Sequence, residues 1–172
     1  MSSIQDKQLM LLGLLSSQDM HGYQLGQLLS HASNPIKVGK ANAYKLLGNM
    51  ERENLIESYT TQEGTRPART NYRITATGQA KLNELLRRNL SGGDIPELPS
   101  GIGLNFLHLL PKAEVAALLL QKIERLAAHR ASLEYDDDTR AAHPGTDLMI
   151  KVLDLELRHC RELISLNKER IK

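Results

Sequence analysis

The chain has 172 residues, with 22 basic against 20 acidic side chains and a formal net charge of +2. Hydrophobic residues make up 41% of the chain, which is typical of a folded protein and excludes a wholly disordered one. Aromatic residues make up only 3%, so the core must be aliphatic, and this composition favours a mostly helical fold.

Three helices are predicted in the first third of the chain. Their expected ranges are Ile4 to Leu15, Gly22 to Ala32 and about Lys40 to Glu53. Ser17 and Asp19 are the expected caps of the second helix, and Tyr23 is assigned to its inward face. Asn54 is expected to end the third helix in the left-handed conformation, which Asn tolerates better than most residues.

Two segments with strand character follow, LIESYTT (55–61) and NYRIT (71–75), separated by a loop that contains Gly and Pro. They predict an antiparallel hairpin, and helical periodicity returns from Ala76 to Leu90. Three helices, two strands and a helix follow one another in the order of a winged helix-turn-helix. We therefore assign residues 1–90 to a winged helix-turn-helix domain that binds DNA.

The second half is predicted to be wholly helical. Residues 91–101 are rich in Gly and Pro and are expected to form a linker, and residues 102–172 a helical domain. A short apolar helix is predicted from Ile102 to Leu109 and a long one from Pro111 to about Tyr135. A last helix, capped by Asp147, is predicted to run to about Arg170.

The last predicted helix has apolar residues on two sides. One set, spaced alternately by three and four residues, contains Ile150, Leu153, Leu157, Cys160 and Ile164; we call it the seam. The second set contains Leu148, Val152, Leu155, Leu163 and Leu166. A helix that is apolar on two sides needs two partners, one from its own chain and one most simply from a second subunit. We therefore predict a coiled-coil-like dimerisation domain and a homodimer, with the seam residues as the dimer contacts.

The charge is unevenly divided between the halves. Residues 1–90 contain 11 basic and 7 acidic residues, a balance of +4, whereas residues 91–172 contain 11 and 13, a balance of −2. A basic half joined to an acidic half is consistent with an N-terminal domain that binds double-stranded DNA.

The candidate DNA contacts lie in the third helix and in the wing, the hairpin that follows it. In this fold the helix enters the major groove and the wing reaches the backbone or the minor groove. Lys and Tyr can bind phosphate, Asn can pair with adenine, and Arg fits a narrow minor groove. The candidates are Lys40, Asn42, Tyr44 and Lys45 in the helix, and Arg66, Arg69 and Arg73 in or beside the wing.

Three segments resemble the PadR-like family of transcriptional regulators. They are LLGLLSSQDMHGYQL (11–25), AYKLLGNMERENLIE (43–57) and TRPARTNYRITATGQAKL (65–82). The resemblance implies a dimeric repressor whose C-terminal helices pair the subunits, and whose DNA binding is relieved in many members by a small ligand or another signal. The positions that match the family include Tyr23, Tyr44, Arg66, Arg69 and Tyr72.

The departures from the family pattern fall on the DNA-reading surface. Residues 39–42 (GKAN) stand where the family often has Ser-Pro-Gly-Thr. Asn49 stands where a basic residue is common, Asn54 and Thr65 where Gly is usual, and Asn71 where Tyr is common. The operator sequence therefore does not transfer from other members.

Other functions are favoured less by the sequence. His21, His108, His129, His143 and His159 lack the close spacing of metal ligands, and Asp136 to Asp138 are expected to be a solvated helix end, so no metal is predicted. No dinucleotide fingerprint, nucleophile elbow or phosphate loop is present, so no enzyme and no cofactor are predicted. A winged-helix adaptor that binds another protein is the alternative function.

Two further expectations concern a ligand and the cell compartment. Phe106, His108 and Leu109 are expected either to line a pocket for a small-molecule effector or to pack in the core. No apolar stretch reaches the roughly 18 residues needed to cross a bilayer. A single cysteine fits a reducing compartment, so a cytoplasmic protein without a membrane partner is expected.

Overall fold

The computed structural model describes residues 3–30, 36, 38–62, 68–93, 98–133 and 143–169. The chain divides into two units, residues 1–93 and residues 94–172. Each unit has a separate aliphatic core.

The N-terminal unit is a winged helix-turn-helix. Its elements are α1 (Ile4–Leu15), β1 (Met20–His21), α2 (Gly22–Leu29), α3 (Lys40–Arg52), β2 (Ile56–Thr61), β3 (Arg69–Ile74) and α4 (Ala76–Ser91). The three strands form one antiparallel sheet in the order β1-β3-β2. In this sheet Tyr72 of β3 pairs with Met20 on one side and with Ser58 on the other. The mostly helical fold class and the hairpin predicted from the sequence are confirmed.

Leucine side chains fill the core of this unit. Leu11, Leu12, Leu25, Leu29 and Leu47 are almost completely buried. They come from α1, α2 and α3, so three amphipathic helices bury their apolar faces against one another. This packing explains how a domain with so few aromatic residues acquires a core.

The start of α4 is held closely against the end of α3. Asn54 has φ 54°, so the predicted left-handed residue is confirmed. Thr75, which the sequence analysis did not identify, caps α4 by accepting a hydrogen bond from the Gly78 N–H at 3.0 Å. Gly78 lies so near the backbone that a Cβ there would be 1.9 Å from the Leu55 carbonyl oxygen. No other amino acid fits this contact without moving α4.

Three expectations for α2 and its surroundings were wrong. His21, rather than Ser17 or Asp19, is the N-cap of α2, and its side chain makes no capping hydrogen bond. Tyr23 is 64% exposed and not part of the core, because the helix turns Leu25 and Leu29 inward instead. The strand β1 was also missed, since two residues are too few to show an alternating pattern. The predicted end of this helix at Ala32 lies outside the described residues.

The described residues of the C-terminal unit form two 3-10 helices and two long α-helices. The 3-10 helices are Pro99–Gly101 and Gly103–Leu109, and the α-helices are α5 (Lys112–Ala131) and α6 (Pro144–Glu169). α5 and α6 pack against each other around Val115, Leu119 and Cys160. Two ion pairs join them: Lys122 Nζ lies 2.7 Å from Glu156 Oε1, and Arg130 Nε lies 3.1 Å from Asp154 Oδ1. Burial raises the pKa of the Cys160 thiol.

Several boundaries in this unit differ from the expectations. The segment predicted as a short α-helix is a 3-10 helix that is kinked at Phe106, whose side chain is exposed. Asp147 is not the cap of α6, because the helix begins at Pro144 and Asp147 instead pairs with Lys151 at 2.6 Å. The expected linker overlaps two helices, since Ser91 is the last residue of α4 and Pro99–Gly101 is a 3-10 helix. The predicted end of the long helix at Tyr135 and that of the last helix at Arg170 lie outside the described residues.

The described residues include no helix that is both long and apolar enough to cross a bilayer.

Candidate nucleic-acid interface

The outer face of α3 carries the candidate DNA contacts that the structure describes in this helix. α3 buries Ala43, Leu46, Leu47 and Met50, which recur at intervals of three or four residues. This spacing turns the Asn42, Tyr44 and Lys45 side chains to the exposed side. These three residues therefore form one polar surface with a positive charge. Lys40 is the first residue of α3, but its side chain lies outside the described part of the chain.

The wing contributes a second cation to this interface. Arg69 is the first residue of β3, pairs across the sheet with Thr61 and is exposed. Within the described part of the chain, its guanidinium has no carboxylate partner. Arg66 falls in residues 63–67, which lie outside the described residues.

Arg73, the third expected wing contact, has partners within the protein. Its Nε donates to Asp19 Oδ2 at 3.0 Å, and its NH1 lies 3.5 Å from Glu57 Oε1. The guanidinium also lies 5.0 Å from the centre of the Tyr59 ring, within the range of a cation–π contact. Two carboxylates thus offset its charge, which makes Arg73 less suited to binding DNA than Arg69.

The Asp19 carboxylate makes stability depend on pH. The hydroxyl of Tyr59, which donates at 2.8 Å, and then the Arg73 guanidinium hold the pKa of Asp19 below its ordinary value. A carboxyl group whose pKa is lower in the folded state stabilises the fold above its unfolded pKa, and this stabilisation is lost as the pH falls through the folded pKa.

We expect Asp19→Asn to lower the urea midpoint slightly at neutral pH. The difference from the original protein should shrink as the pH falls from about 4, the ordinary pKa of an unfolded Asp, through the lower pKa of folded Asp19. Urea titrations followed by circular dichroism at several pH values measure this difference. A difference that is the same at every pH would show that the Asp19 charge does not stabilise the fold.

A concavity lies between α3 and the wing strand β3. It has a volume of about 570 Å³ and is lined by residues from β1, α2, α3 and β3, among them His21, Gly22, Tyr23, Tyr44, Arg69 and Tyr72. We call it the tyrosine notch. Tyr23 and Tyr44 are exposed, whereas Tyr72 is partly buried, and this burial raises the pKa of its phenol. The sequence analysis named Tyr44 and Arg69 as DNA contacts but did not place Tyr23 or Gly22 beside them.

In the C-terminal unit, the seam of α6 faces its own chain. Ile150, Leu153, Leu157 and Cys160 are buried, and Ile164 packs against the core around Cys160. These residues are therefore covered within one subunit, which corrects the expectation that they pair two subunits. Four members of the second set are instead exposed: Leu148, Val152, Leu155 and Leu166. We call these four residues the outer stripe.

A second cavity lies in the C-terminal unit beside the longer 3-10 helix. Its volume is about 550 Å³, and Leu104, Leu107 and Leu163 supply part of its apolar wall. His108 is exposed and lines this cavity, which is one of the two outcomes considered for it. Phe106 and Leu109 are exposed and do not belong to the described lining. Among the described residues, no group of three or more His, Cys, Asp or Glu side chains could hold a metal ion.

The helix-turn-helix, the polar outer face of α3 and the cationic wing define a DNA-binding protein of the winged-helix class. Residues 11–84 match the model of the transcriptional regulator PadR-like family. The chain belongs to this family. It is therefore a DNA-binding transcriptional regulator and not an enzyme, as the sequence predicted.

One relative and two solved structures show what this chain is similar to. An uncharacterized protein from Lysinibacillus sphaericus is 31% identical over 78 residues, which cover 45% of this chain and 72% of that protein. Bacillus subtilis PadR in complex with operator DNA has a TM-score of 0.78 at 16% identity, covering 94% of this chain and 98% of that one. A PadR-like regulator from Bacillus cereus has a TM-score of 0.73 at 15% identity, covering 95% and 98%. At such low identities, the two structures show a shared fold.

Proposed function

We propose that the protein is a cytoplasmic repressor that binds a pseudo-palindromic operator as a homodimer. The observation that carries the proposal is that α3, through Tyr44, and the wing, through Arg69, line one concavity. Lys45 is exposed on the same helix and adds a second cation. The complex of Bacillus subtilis PadR with operator DNA supports the same use of the fold.

The polar side chains of α3 are suited to reading base edges. The major groove is wide enough to admit one helix, and Asn42 can form a bidentate pair with adenine. Lys45 can bind guanine or a phosphate, and the Tyr44 hydroxyl a phosphate. Arg69 begins the strand that follows the tip of the wing, where a cation can reach the backbone or a narrow minor groove.

The outer stripe supports the homodimer. Leu148, Val152, Leu155 and Leu166 follow one another at intervals of four, three and eleven residues, so they lie along one side of α6. A single chain leaves this row of leucine and valine in water, and a second copy of α6 would cover it. Two-fold symmetry then places two α3 helices on half-sites about 10 base pairs, or a multiple of that, apart.

A small-molecule effector is the second part of the proposal. Bacillus subtilis PadR has been crystallised with p-coumaric acid, and that structure has a TM-score of 0.72 at 13% identity, covering 98% of each chain. The cavity beside the 3-10 helix of this chain has a volume in the range of small-ligand sites, about 300–1,000 Å³. Its leucine-rich wall with His108 at one side fits a compact, mostly apolar molecule.

We expect Arg69→Ala and Arg66→Ala each to weaken operator binding about tenfold, because each removes a cation from the DNA backbone or groove. Genomic fragments bound by the original protein supply the operator, and gel-shift titrations at several salt concentrations measure the affinity. The plot of log affinity against log salt should also become shallower by about one unit for each arginine that contacts phosphate.

Arg87→Ala is the matched control, because Arg87 is an exposed arginine of α4 in the same unit. Unchanged affinity in both wing variants would contradict the wing assignment. If the original protein bound no duplex DNA in a salt-sensitive manner, the result would favour the alternative function, an adaptor that binds another protein.

A further inference from the structure

We propose that the tyrosine notch seats one phosphate of the DNA backbone together with its flanking sugar. The inference rests on the proposed function and adds Tyr23 and Gly22 to the residues that bind the operator. The notch lies between the outer face of α3 and β3 of the wing, with Tyr44 from one and Arg69 from the other among its lining residues. A duplex that contacts both elements must pass over it.

The described lining of the notch carries a positive charge, and the Glu51 carboxylate, which acts on Tyr72, lies outside that lining. Arg69 is its cation, and no Asp or Glu belongs to the described residues that line it. Tyr23 and Tyr44 are 64% and 51% exposed, so two phenol groups stand at the surface beside the guanidinium. Gln27 donates to the Tyr23 hydroxyl at 3.0 Å, which restricts the orientation of that ring. Hydroxyl and guanidinium donors around one concavity suit the oxygens of a phosphodiester.

Gly22 permits the close packing that forms the notch. A Cβ at this position would lie 3.2 Å from Cε2 of Tyr72 and 3.3 Å from Cε1 of Tyr44. Both distances are shorter than ordinary carbon contacts, so any side chain there would push the two rings apart. The Tyr44 hydroxyl would itself lie 3.8 Å from this Cβ, so the same change would narrow the space beside the hydroxyl.

His21 also lines the notch, but its Nδ1 atom is buried and has no hydrogen-bond partner in the part of the chain that the structure describes. Because this atom is closed off from solvent, a phosphate in the notch does not reach it. The proposed contacts to the phosphate are therefore the Tyr23 and Tyr44 hydroxyls and the Arg69 guanidinium.

The test uses a duplex that contains the selected operator, with single methylphosphonates that each neutralise one phosphate of a half-site. We expect one position where neutralisation weakens binding of the original protein about tenfold, the effect of losing a charge-assisted hydrogen bond. Tyr44→Phe and Tyr23→Phe should each weaken binding to the unmodified duplex. Neutralising the sensitive phosphate should then lower the affinity of these variants little further, because the contact is already lost. At the other phosphates, the effects of substitution and neutralisation should multiply.

Tyr59→Phe is the matched control, because it removes a hydroxyl that donates to Asp19 and does not line the notch. Gly22→Ala should also weaken binding about tenfold, with circular dichroism used to verify its fold. The inference would be overturned if the effects of substitution and neutralisation on affinity multiplied at every phosphate. It would also be overturned if both Phe variants bound the operator as tightly as the original protein. In either case operator binding itself would stand. If the proposed function were wrong, the original protein would instead bind no duplex at all in the gel shifts.

Discussion

Leu155→Asp is expected to convert the proposed dimer into a monomer and to weaken operator binding at least about a hundredfold. Leu155 is 60% exposed in one chain and lies in the middle of the outer stripe. In a two-fold interface the substitution buries two carboxylates without partners, which costs about 4 kcal/mol and raises the dimer dissociation constant about a thousandfold. Operator affinity falls as well, because one half-site is then bound without the second.

Analytical ultracentrifugation measures the dissociation constant of the dimer, and gel shifts measure operator affinity. Leu90→Asp is the matched control, since Leu90 is 77% exposed at the end of α4 and does not belong to the outer stripe. Leu157→Ala provides the contrast, because Leu157 belongs to the buried seam and its truncation should destabilise the C-terminal unit by about 2–5 kcal/mol. An intact dimer of Leu155→Asp would exclude the outer stripe as the interface.

Gly78→Ala is expected to destabilise the N-terminal unit by about 3 kcal/mol or more. The added Cβ would overlap the Leu55 carbonyl oxygen and lie 2.9 Å from Cγ1 of Ile74. The carbonyl cannot move aside easily, because it already accepts hydrogen bonds from the Thr75 N–H and hydroxyl, both at 3.1 Å. The gain of about 1 kcal/mol from replacing Gly by Ala in a helix does not offset such overpacking.

Urea unfolding at a fixed protein concentration measures this loss, since the stability of a dimer depends on concentration. Gly13→Ala is the matched control: Gly13 lies in α1, and no heavy atom would come within 4 Å of its Cβ. We expect that variant to be as stable as the original or more so by up to about 1 kcal/mol. Equal stabilities for the Gly78 and Gly13 variants would show that the contact with Leu55 can relax.

The helices and the hairpin of the winged domain could be predicted because their signals are local. The buried positions of α3 recur every three or four residues, and Asn54 tolerates the positive φ that it adopts. β1 and the Thr75 cap escaped prediction for opposite reasons. β1 is only two residues long, and Thr75 is one of many threonines until its neighbours show that it begins a helix.

The candidate site could be predicted only in part. Asn42, Tyr44 and Lys45 were identified because they lie near the start of the predicted third helix, and all three are exposed. The ion pair that occupies Arg73 could not be predicted from the sequence, since its partner Asp19 lies 54 positions away. The same distance in sequence hid the tyrosine notch, whose residues come from four separate elements.

The sequence by itself determined three features of this protein. Local periodicity and turn residues determined the winged domain and the helical second half, and the placement of charge determined the cationic elements. Only the tertiary structure decided which apolar side of α6 its own chain covers, because both sets of residues have helical spacing. α5 buries the seam that contains Leu153 and Leu157 and leaves the outer stripe of Leu148 and Leu155 exposed. Burial depends on contacts between segments that are distant in sequence, and no local pattern contains that information.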